Sequence, residues 1–171
     1  MFTCIRLGLS SSALIVGLCM AGGTSAQTPT LINPLVGTWQ LVSQDMTGPD
    51  GKTSPVYGPN PTGMAIFGAD GKVAVFTRAK DLARYASNNR TSGTPEEYKA
   101  IAIGTNAYYG RYAMDEKAKI LTFNIEGATF PNWEGQEQKR EYTLQGDTLT
   151  YKNTAATRGA GTVTLVWKKA R

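Results

Sequence analysis

The sequence predicts an all-β fold in which eight antiparallel strands close into an up-and-down barrel with one short helix. Segments rich in Val, Ile, Thr, Phe and Tyr alternate apolar and polar side chains, and short turn sequences separate most of them. Closing a run of hairpins into a barrel removes the exposed edges of a flat sheet. A β-sandwich is the alternative, but it needs long crossovers between sheets, and only residues 78–105 are long enough for one.

The strands are predicted in sequence, most of them joined by short turns. Turn-forming triplets at 69–71, 115–117 and 145–147 predict three hairpins. Residues 47–55, which are dense in Gly, Pro, Asp, Ser and Thr, predict a turn region after the first strand. The eight predicted strands cover residues 36–46, 62–68, 72–78, 106–114, 119–127, 136–144, 148–153 and 161–169.

The single helix is predicted between the third and fourth strands. Thr94 is a suitable N-cap, Pro95 suits the first helical position, and Glu97 completes a capping box with Thr94. Gly104 supplies the stop signal.

The first 26 residues are predicted to be a cleaved signal peptide. Arg6 precedes an apolar run at residues 7–20, and small residues ending at Ala26 suit cleavage before Gln27. The apolar run is short for a membrane span, so no stable span is expected after cleavage, and an uncleaved anchor is the alternative. The protein is therefore expected to be secreted or periplasmic, with a lead at 27–35 and one barrel domain at 36–169.

The composition excludes several kinds of chemistry. The chain has no histidine, and its two cysteines, Cys4 and Cys19, lie in the predicted signal peptide. The mature domain therefore lacks the usual zinc ligands and the Ser-His and Cys-His pairs, and we expect no metal, cofactor or disulfide. The net charge of +5 is spread along the chain rather than gathered in a basic stripe, which argues against a nucleic-acid partner.

The strand at 136–144 has an unusual inward face. Glu137, Lys139, Glu141 and Thr143 share the outer face, whereas Gln138 and Arg140 share the inner face with the apolar Tyr142 and Leu144. An unpaired buried charge is costly, so the guanidinium must meet a carboxylate, water, an aromatic face or a ligand. It either stacks on Trp39 or pairs with Asp45, or it anchors, with Gln138, the polar head of an amphiphile.

Alternation on the other strands predicts a mostly apolar and aromatic interior with a few polar groups, which suits a small-molecule pocket and equally an ordinary core with one satisfied ion pair. Ser43 and Asp45 share the inward phase of Trp39 on the first strand, and Phe123 faces inward on the fifth. The strand at 106–114 is ambiguous, with Tyr108, Tyr112 and Met114 on one face and Tyr109 and Arg111 on the other.

Four stretches resemble the bacterial and fungal lipocalin-like domain family, which consists of small calycin-type barrels. They are Gly37-Thr38-Trp39 (a G-x-W start), YGPNPTGMAIFGADGKVAVFTR, Tyr109-Gly110-Arg111-Tyr112 and FPNWEGQEQKR, and the resemblance spans about residues 35–169. It implies that Trp39 plugs one end of the barrel and that Asn132 and Trp133 lie on the turn before the Arg140 strand. Trp133 then either packs on its own loop or lines a mouth.

The chain also departs from this family. Relatives often carry histidines on the strand before the Pro-Asn-Trp turn, which here reads LTFNIEG, so no acid–base role carries over. Typical lipocalins append a long helix after the last strand, whereas this sequence ends at Arg171.

Three functions are open at this stage. The first is an exported carrier that binds a small hydrophobic or amphipathic molecule in the barrel without chemistry, as a monomer or weak dimer. The second is a cofactor-independent isomerase or cyclase that uses Tyr109, Tyr112, Asp45, Glu126 and Arg140. The third is a filled barrel that acts as an envelope interaction module and has no ligand-sized cavity. The predicted ligand-binding residues are Arg140, Gln138, Tyr142, Tyr109, Tyr112, Trp133, Phe123 and Asn132.

Overall fold

The computed structural model describes residues 33–171, so the predicted signal peptide and most of the lead lie outside the described residues. Within this range the chain forms nine strands, one α-helix and a short 3₁₀ turn at Pro131–Trp133. The elements are β1 Gly37–Thr47, β2 Thr53–Pro55, β3 Thr62–Phe67, β4 Lys72–Arg78, α1 Pro95–Gly104, β5 Thr105–Asp115, β6 Ile120–Ala128, β7 Glu137–Gln145, β8 Thr148–Asn153 and β9 Thr162–Lys169.

Eight of the strands close into an antiparallel barrel, as predicted. From β3 to β9 each strand pairs with the next, and β1 pairs with both β3 and β9 and so completes the ring. The three predicted hairpins are present between β3 and β4, β5 and β6, and β7 and β8.

The predicted position of the helix, between the third and fourth strands, is wrong. The region at 47–55, predicted as a turn, contains an additional strand, β2, which shifts the strand count by one. Gly48 N–H donates to the Lys52 carbonyl at 2.9 Å, and the chain then returns along the end of β1 as β2. This three-residue strand lies outside the closed ring. The helix α1 therefore lies between the fourth and fifth strands, before β5, rather than between the third and fourth.

A β-bulge in β1 changes which side chains enter the barrel. Leu41 is paired with Trp167 and Ser43 with the adjacent Val166, so Val42 is an extra residue without a partner on β9. A slip of one residue moves the following side chains to the opposite face. Gln44 is consequently buried, and the prediction that Ser43 and Asp45 share the inward phase of Trp39 is wrong.

The two ends of the barrel differ in their connections. The end closed by residues 33–36 and the hairpins at 68–71, 116–119 and 146–147 is called the turn end. The opposite end, called the loop end, carries the longer connections at 56–61, 79–94, 129–136 and 154–161 together with α1.

Trp39 closes the turn end, as the family resemblance implied. Its side chain is fully buried, and its indole N–H donates to the Leu35 carbonyl at 2.8 Å. The ammonium of Lys169 lies 5.3 Å from the centre of its ring. The indole N–H thus has a partner while the ring fills this end of the core.

Helix α1 has the predicted capping box. Thr94 Oγ1 accepts from the Glu97 N–H at 3.2 Å, and Glu97 Oε2 accepts from the Thr94 N–H at 2.8 Å. The other Glu97 oxygen accepts from Ala86 N–H at 2.8 Å, and these backbone hydrogen bonds lower the pKa of Glu97. Across residues 33–171 no helix is both long and apolar enough to span a membrane.

Candidate functional site

Arg140 lies inside the barrel because alternation along β7 points it inward with Gln138 and Tyr142. Only 1% of its surface is exposed. Its Nη1 donates to the Tyr108 hydroxyl oxygen and its Nη2 to Gln138 Oε1, each at 2.7 Å. Gln138 is thus the acceptor that holds one side of the guanidinium.

Aromatic rings surround the guanidinium. The Arg140 Cζ atom lies 4.3 Å from the centre of the Phe123 ring, and three further rings lie within cation–π distance. These are Tyr108 and Tyr151, each at 5.2 Å, and Trp133 at 5.9 Å. We call Arg140, Gln138 and these four rings the arginine cage.

Neither intramolecular partner predicted for Arg140 is found. The ion pairs among the described residues join other, largely exposed side chains, so the guanidinium has no carboxylate partner in this part of the chain. Asp45 follows the β1 bulge and does not bond to Arg140, and the cation over Trp39 is Lys169. The charge is held by neutral acceptors and rings alone.

Tyr151 adds a second hydroxyl to the cage. Its hydroxyl lies 3.3 Å from that of Tyr108, which already accepts from Arg140. Burial raises the pKa of Tyr151 well above its usual value, more than the nearby Arg140 lowers it. Tyr151 is therefore a neutral phenol at ordinary pH and offers Arg140 no counter-charge.

A small cavity lies beside the cage at the loop end. Its volume is about 30 Å³, which is room for about one water molecule. Buried side chains occupy most of the barrel interior around this cavity. The cavity's polar lining includes Gln44, Tyr57, Thr77, Asn106, Tyr108, Arg140, Asn153, Thr157 and Arg158.

Two buried polar atoms in the side chains that line this cavity have no hydrogen-bond partner. They are Arg140 Nε, a donor, and Gln44 Oε1, an acceptor. Buried polar groups are nearly always paired, and each unpaired one costs about 1–3 kcal/mol. Counting protein atoms alone, this part of the barrel therefore keeps its polar groups at a cost in stability.

Trp133 both packs on its own loop and lines the cavity at the loop end, the two positions that the family resemblance left open. Its ring packs edge-on against Phe130 on its own loop, with the centres 6.0 Å apart, and edge-on against Tyr108 at 5.6 Å. It also lines the small cavity. The Pro131–Trp133 turn thus forms part of the wall of the loop end.

Two other predicted site residues lie at the turn end. The Tyr112 hydroxyl donates to the Gly68 carbonyl at 2.9 Å and accepts from Asn33 Nδ2 at 3.2 Å. Tyr142 lies beside Lys119, whose ammonium is 6.0 Å from its ring centre. Burial is the main cause that raises the pKa of both tyrosines. Both face the core, but neither belongs to the arginine cage.

Tyr109 and Asn132 lie on the surface. Tyr109 is 57% exposed on the outer face of β5, and its ring covers Gly127, where a Cβ atom would come within 2.5 Å of it. With Met64, Ile66 and Phe76 it borders an apolar outer groove of about 540 Å³. Asn132 is exposed, and its carbonyl accepts from Gln136 Nε2 at 2.7 Å.

The residues considered for an isomerase do not meet at one place. Tyr109 and Glu126 lie on the outer face, where Glu126 is 3.4 Å from the Arg111 guanidinium. Tyr112 lies at the turn end and Arg140 in the cage. Among residues 33–171 no group of three or more His, Cys, Asp or Glu side chains is placed to hold a metal ion.

The sequence pattern missed several residues of this site. Tyr151, Thr77 and Asn153 share the inward phase of their strands, so alternation alone could have added them. Tyr108 also faces inward, but tyrosines on both faces of its strand left the phase of that strand ambiguous. Gln44 could not be predicted to face inward, because the β1 bulge inverts the alternation after Val42. Arg158 lies on an irregular loop where no periodicity applies.

The closed eight-stranded barrel, sealed at one end by a tryptophan and crossed by loops at the other, defines a lipocalin-type barrel. A family model described as a lipocalin-like domain matches residues 36–170, and the chain belongs to that family. The resemblance inferred from the motifs is thereby confirmed.

A solved structure was also found by comparison. It is a lipocalin-like protein from Bacteroides uniformis, 15% identical in sequence, with a TM-score of 0.43. The match covers 80% of this chain and 98% of that one. No curated protein matches the sequence.

Proposed function

We propose that the protein is exported and binds a small amphipathic molecule at the loop end of the barrel, without chemistry. The polar group of the ligand lies against Arg140 and Gln138, and its apolar part contacts the aromatic rings of the cage and the loops around it. The lipocalin-like fold supports small-molecule binding in general. The arginine cage supports this particular place.

The observation that carries the proposal is the burial of Arg140 without a carboxylate partner among residues 33–171. Taking a charged side chain out of water costs several kcal/mol, and apolar residues of similar volume can often replace buried charges without loss of stability. Apolar side chains would fill the same core without the cost of taking a charge out of water. Its position beside the loop-end cavity, with Nε unpaired, is what a ligand-binding cation requires.

The cavity limits how the ligand can bind. About 30 Å³ admits only one or two heavy atoms of a polar group, so the rest of that group, like the apolar part, needs more room than the closed cavity offers. The apolar part must therefore displace side chains at the loop end, where the connections at 129–136 and 154–161 are irregular. Binding in this proposal includes an opening of the loop end.

A matched pair of fluorescent probes tests the proposal. The first is 8-anilinonaphthalene-1-sulfonate, and the second is N-phenyl-1-naphthylamine, the same molecule without the sulfonate. Delipidated protein is titrated with each, alongside Arg140→Met and the control Arg111→Met, which removes an exposed arginine from the outer face of β5. Circular dichroism checks that each variant is folded.

We expect the sulfonate probe to bind and Arg140→Met to weaken it about 10- to 100-fold, because a hydrogen bond to a charged group is worth about 1.5–3 kcal/mol. Arg111→Met should leave its affinity unchanged. If neither probe binds saturably, the proposal fails. If both variants bind the sulfonate probe as the native protein does, the site is not at Arg140. Gln138→Leu, which removes the acceptor and keeps the charge, is a second variant should Arg140→Met not fold.

Export is the second part of this proposal and rests on the sequence of residues 1–26. Expression of the full chain in a bacterial host, followed by intact-mass measurement, is its test. We expect a mature protein that begins at Gln27. A full-length mass in the cytoplasmic fraction alone would contradict it.

A filled barrel that acts through its surface is the second candidate function, and the small interior cavity favours it. Its candidate surface is the outer groove bordered by Met64, Ile66, Phe76 and Tyr109, since exposed apolar patches often mark interaction sites. Chemical-shift mapping with the neutral probe separates the two. Shifts confined to the outer faces of β3, β4 and β5 favour the surface function, and shifts at the loop end favour the carrier.

A further inference from the structure

Arg158 joins three separate segments of the loop end. It lies on the 154–161 connection, and its Nη1 donates to the Val56 carbonyl at 2.9 Å. Its Nη2 donates to the carbonyl of Ile103, near the end of α1. Its guanidinium also lies 5.0 Å from the centre of the Tyr57 ring. One exposed side chain therefore holds the 56–61 connection, the helix and its own loop together.

Arg158 and Arg140 line the same cavity. Arg140 is buried and Arg158 is exposed, so they mark its inner and outer sides. Among the described residues that line this cavity, none is Asp or Glu, and the remaining polar groups are neutral amides and hydroxyls. Two cations without an anion, on the inner and outer sides of one cavity, create a positive potential that favours a negative ligand.

The neighbours of Arg158 are neutral as well. Its hydrogen-bond acceptors are two backbone carbonyls. Burial raises the pKa of Tyr57, more than its hydrogen bond to Thr77 and the nearby Arg158 lower it, so the phenol remains protonated at ordinary pH. The positive charges on both sides of the cavity are thus uncompensated by the residues around it.

We infer that the polar group of the ligand is an oxyanion, that it binds between Arg140 and Arg158, and that Arg158 keeps the loop end closed until this anion reaches it. The inference rests on the proposed function, since it names the ligand class and the gate of the same site. Carboxylate, sulfonate and phosphate groups share the required chemistry.

The gate follows from a competition for the Arg158 guanidinium. An oxyanion adds to the hydrogen bonds an attraction between opposite charges and a bidentate geometry, neither of which a single backbone carbonyl offers to a guanidinium. An incoming oxyanion therefore displaces the Val56 and Ile103 carbonyls and frees the loop end to admit the apolar part. Arg158 is exposed, so an anion can reach its guanidinium from solvent while the contacts with Val56, Ile103 and Tyr57 are still in place. A neutral analogue cannot displace them and must wait for spontaneous opening.

Stopped-flow fluorescence on the full mature chain with the two probes tests the inference. The variants are Arg158→Gln, which removes the charge but keeps a donor, and Arg158→Lys, which keeps the charge. Arg90→Gln is the control, because it removes the same charge from another exposed position of the loop end.

Arg158→Gln should weaken the sulfonate probe about tenfold, which is the loss of about 1.4 kcal/mol from one charged contact. It should also make the neutral probe associate faster, because the carbonyls are held less firmly. Arg158→Lys should recover most of the sulfonate affinity, and Arg90→Gln should change neither probe.

The outcomes separate this inference from the proposed function. If the sulfonate probe depends on Arg140 but not on Arg158, the carrier function stands and the gate is overturned. If Arg158→Gln weakens both probes equally, Arg158 only stabilises the loops, which also overturns it. If neither probe binds the native protein, the proposed function itself fails.

Discussion

Replacement of Gln44 by Met should make the protein more stable and less able to bind. The β1 bulge turns Gln44 into the barrel, where 7% of its surface is exposed and its Oε1 has no hydrogen-bond partner. Its backbone carbonyl accepts from Val56 N–H at 2.9 Å, and this bond is unaffected by the side chain. Methionine has nearly the same length and no polar acceptor, so it fills the same space.

The size of the effect follows from the unpaired acceptor. An unsatisfied buried polar group costs about 1–3 kcal/mol, and Met removes that cost while it adds apolar burial. We expect the free energy of unfolding to rise by about 1–2 kcal/mol, which corresponds to about 3–8 °C in Tm for a domain of this size. Affinity for the sulfonate probe should fall, because the amide lines the ligand cavity.

Urea unfolding followed by tryptophan fluorescence measures the change. Gln40→Met is the matched control, since Gln40 is exposed on the same strand before the bulge and should alter the free energy of unfolding by less than about 0.5 kcal/mol. If Gln44→Met lowers the free energy of unfolding by 1 kcal/mol or more, the amide is hydrogen-bonded in solution. The view of the loop end as a polar site kept at a cost in stability would then be refuted.

Two further predictions concern pH and the outer face. Burial raises the pKa values of Tyr57, Tyr112, Tyr142 and Tyr151, so above pH 10 the unfolded chain loses phenolic protons that the native state retains, and stability falls as pH rises. The chain has no histidine, so Tm by scanning fluorimetry should be nearly constant between pH 6 and 9 and drop above 10; a drop centred below pH 9 would contradict this. Tyr109→Ala should leave the affinity for the sulfonate probe unchanged, because Tyr109 lies outside the barrel, and a tenfold loss would show that the outer groove binds it.

The barrel itself could be predicted from local sequence signals. Alternation placed Gln138, Arg140 and Phe123 inside, and turn chemistry located all three hairpins, because each signal depends on neighbours in the chain. The β1 bulge could not be seen in this way. It adds one residue without a turn signal, and the phase after Val42 is inverted.

The site was predicted only in part, because its contacts join strands that are distant in sequence. Gln138 and Arg140 are two residues apart, and their joint inward direction was visible. Tyr108 is 32 residues from Arg140, and its hydroxyl becomes the acceptor only through the β5–β6–β7 order of the sheet. Arg158 reaches Val56 across 102 residues from an irregular loop, where no sequence period applies.

The positions of three cations explain why Arg140 is the one to interpret functionally. At the turn end, Lys169 lies over Trp39 and Lys119 lies beside Tyr142. Unlike Arg140, neither lysine is buried: Lys169 is half-buried and Lys119 is exposed. Lys169 also donates to the Pro34 carbonyl at 2.8 Å. Ammonium groups at that end gain an aromatic contact and keep access to water, so their contacts are explained by stability alone.

Arg140 makes the same kind of aromatic contact at a much higher cost. It is taken out of water, and within residues 33–171 it has no carboxylate partner and its Nε is unpaired, yet it lies next to a cavity that a second arginine bounds on the outside. Stability alone does not explain two cations on the two sides of one cavity whose lining includes no carboxylate among the described residues. An oxyanion between them pairs both charges at once, which is why the loop end, rather than the sealed turn end, is the place to look for a ligand.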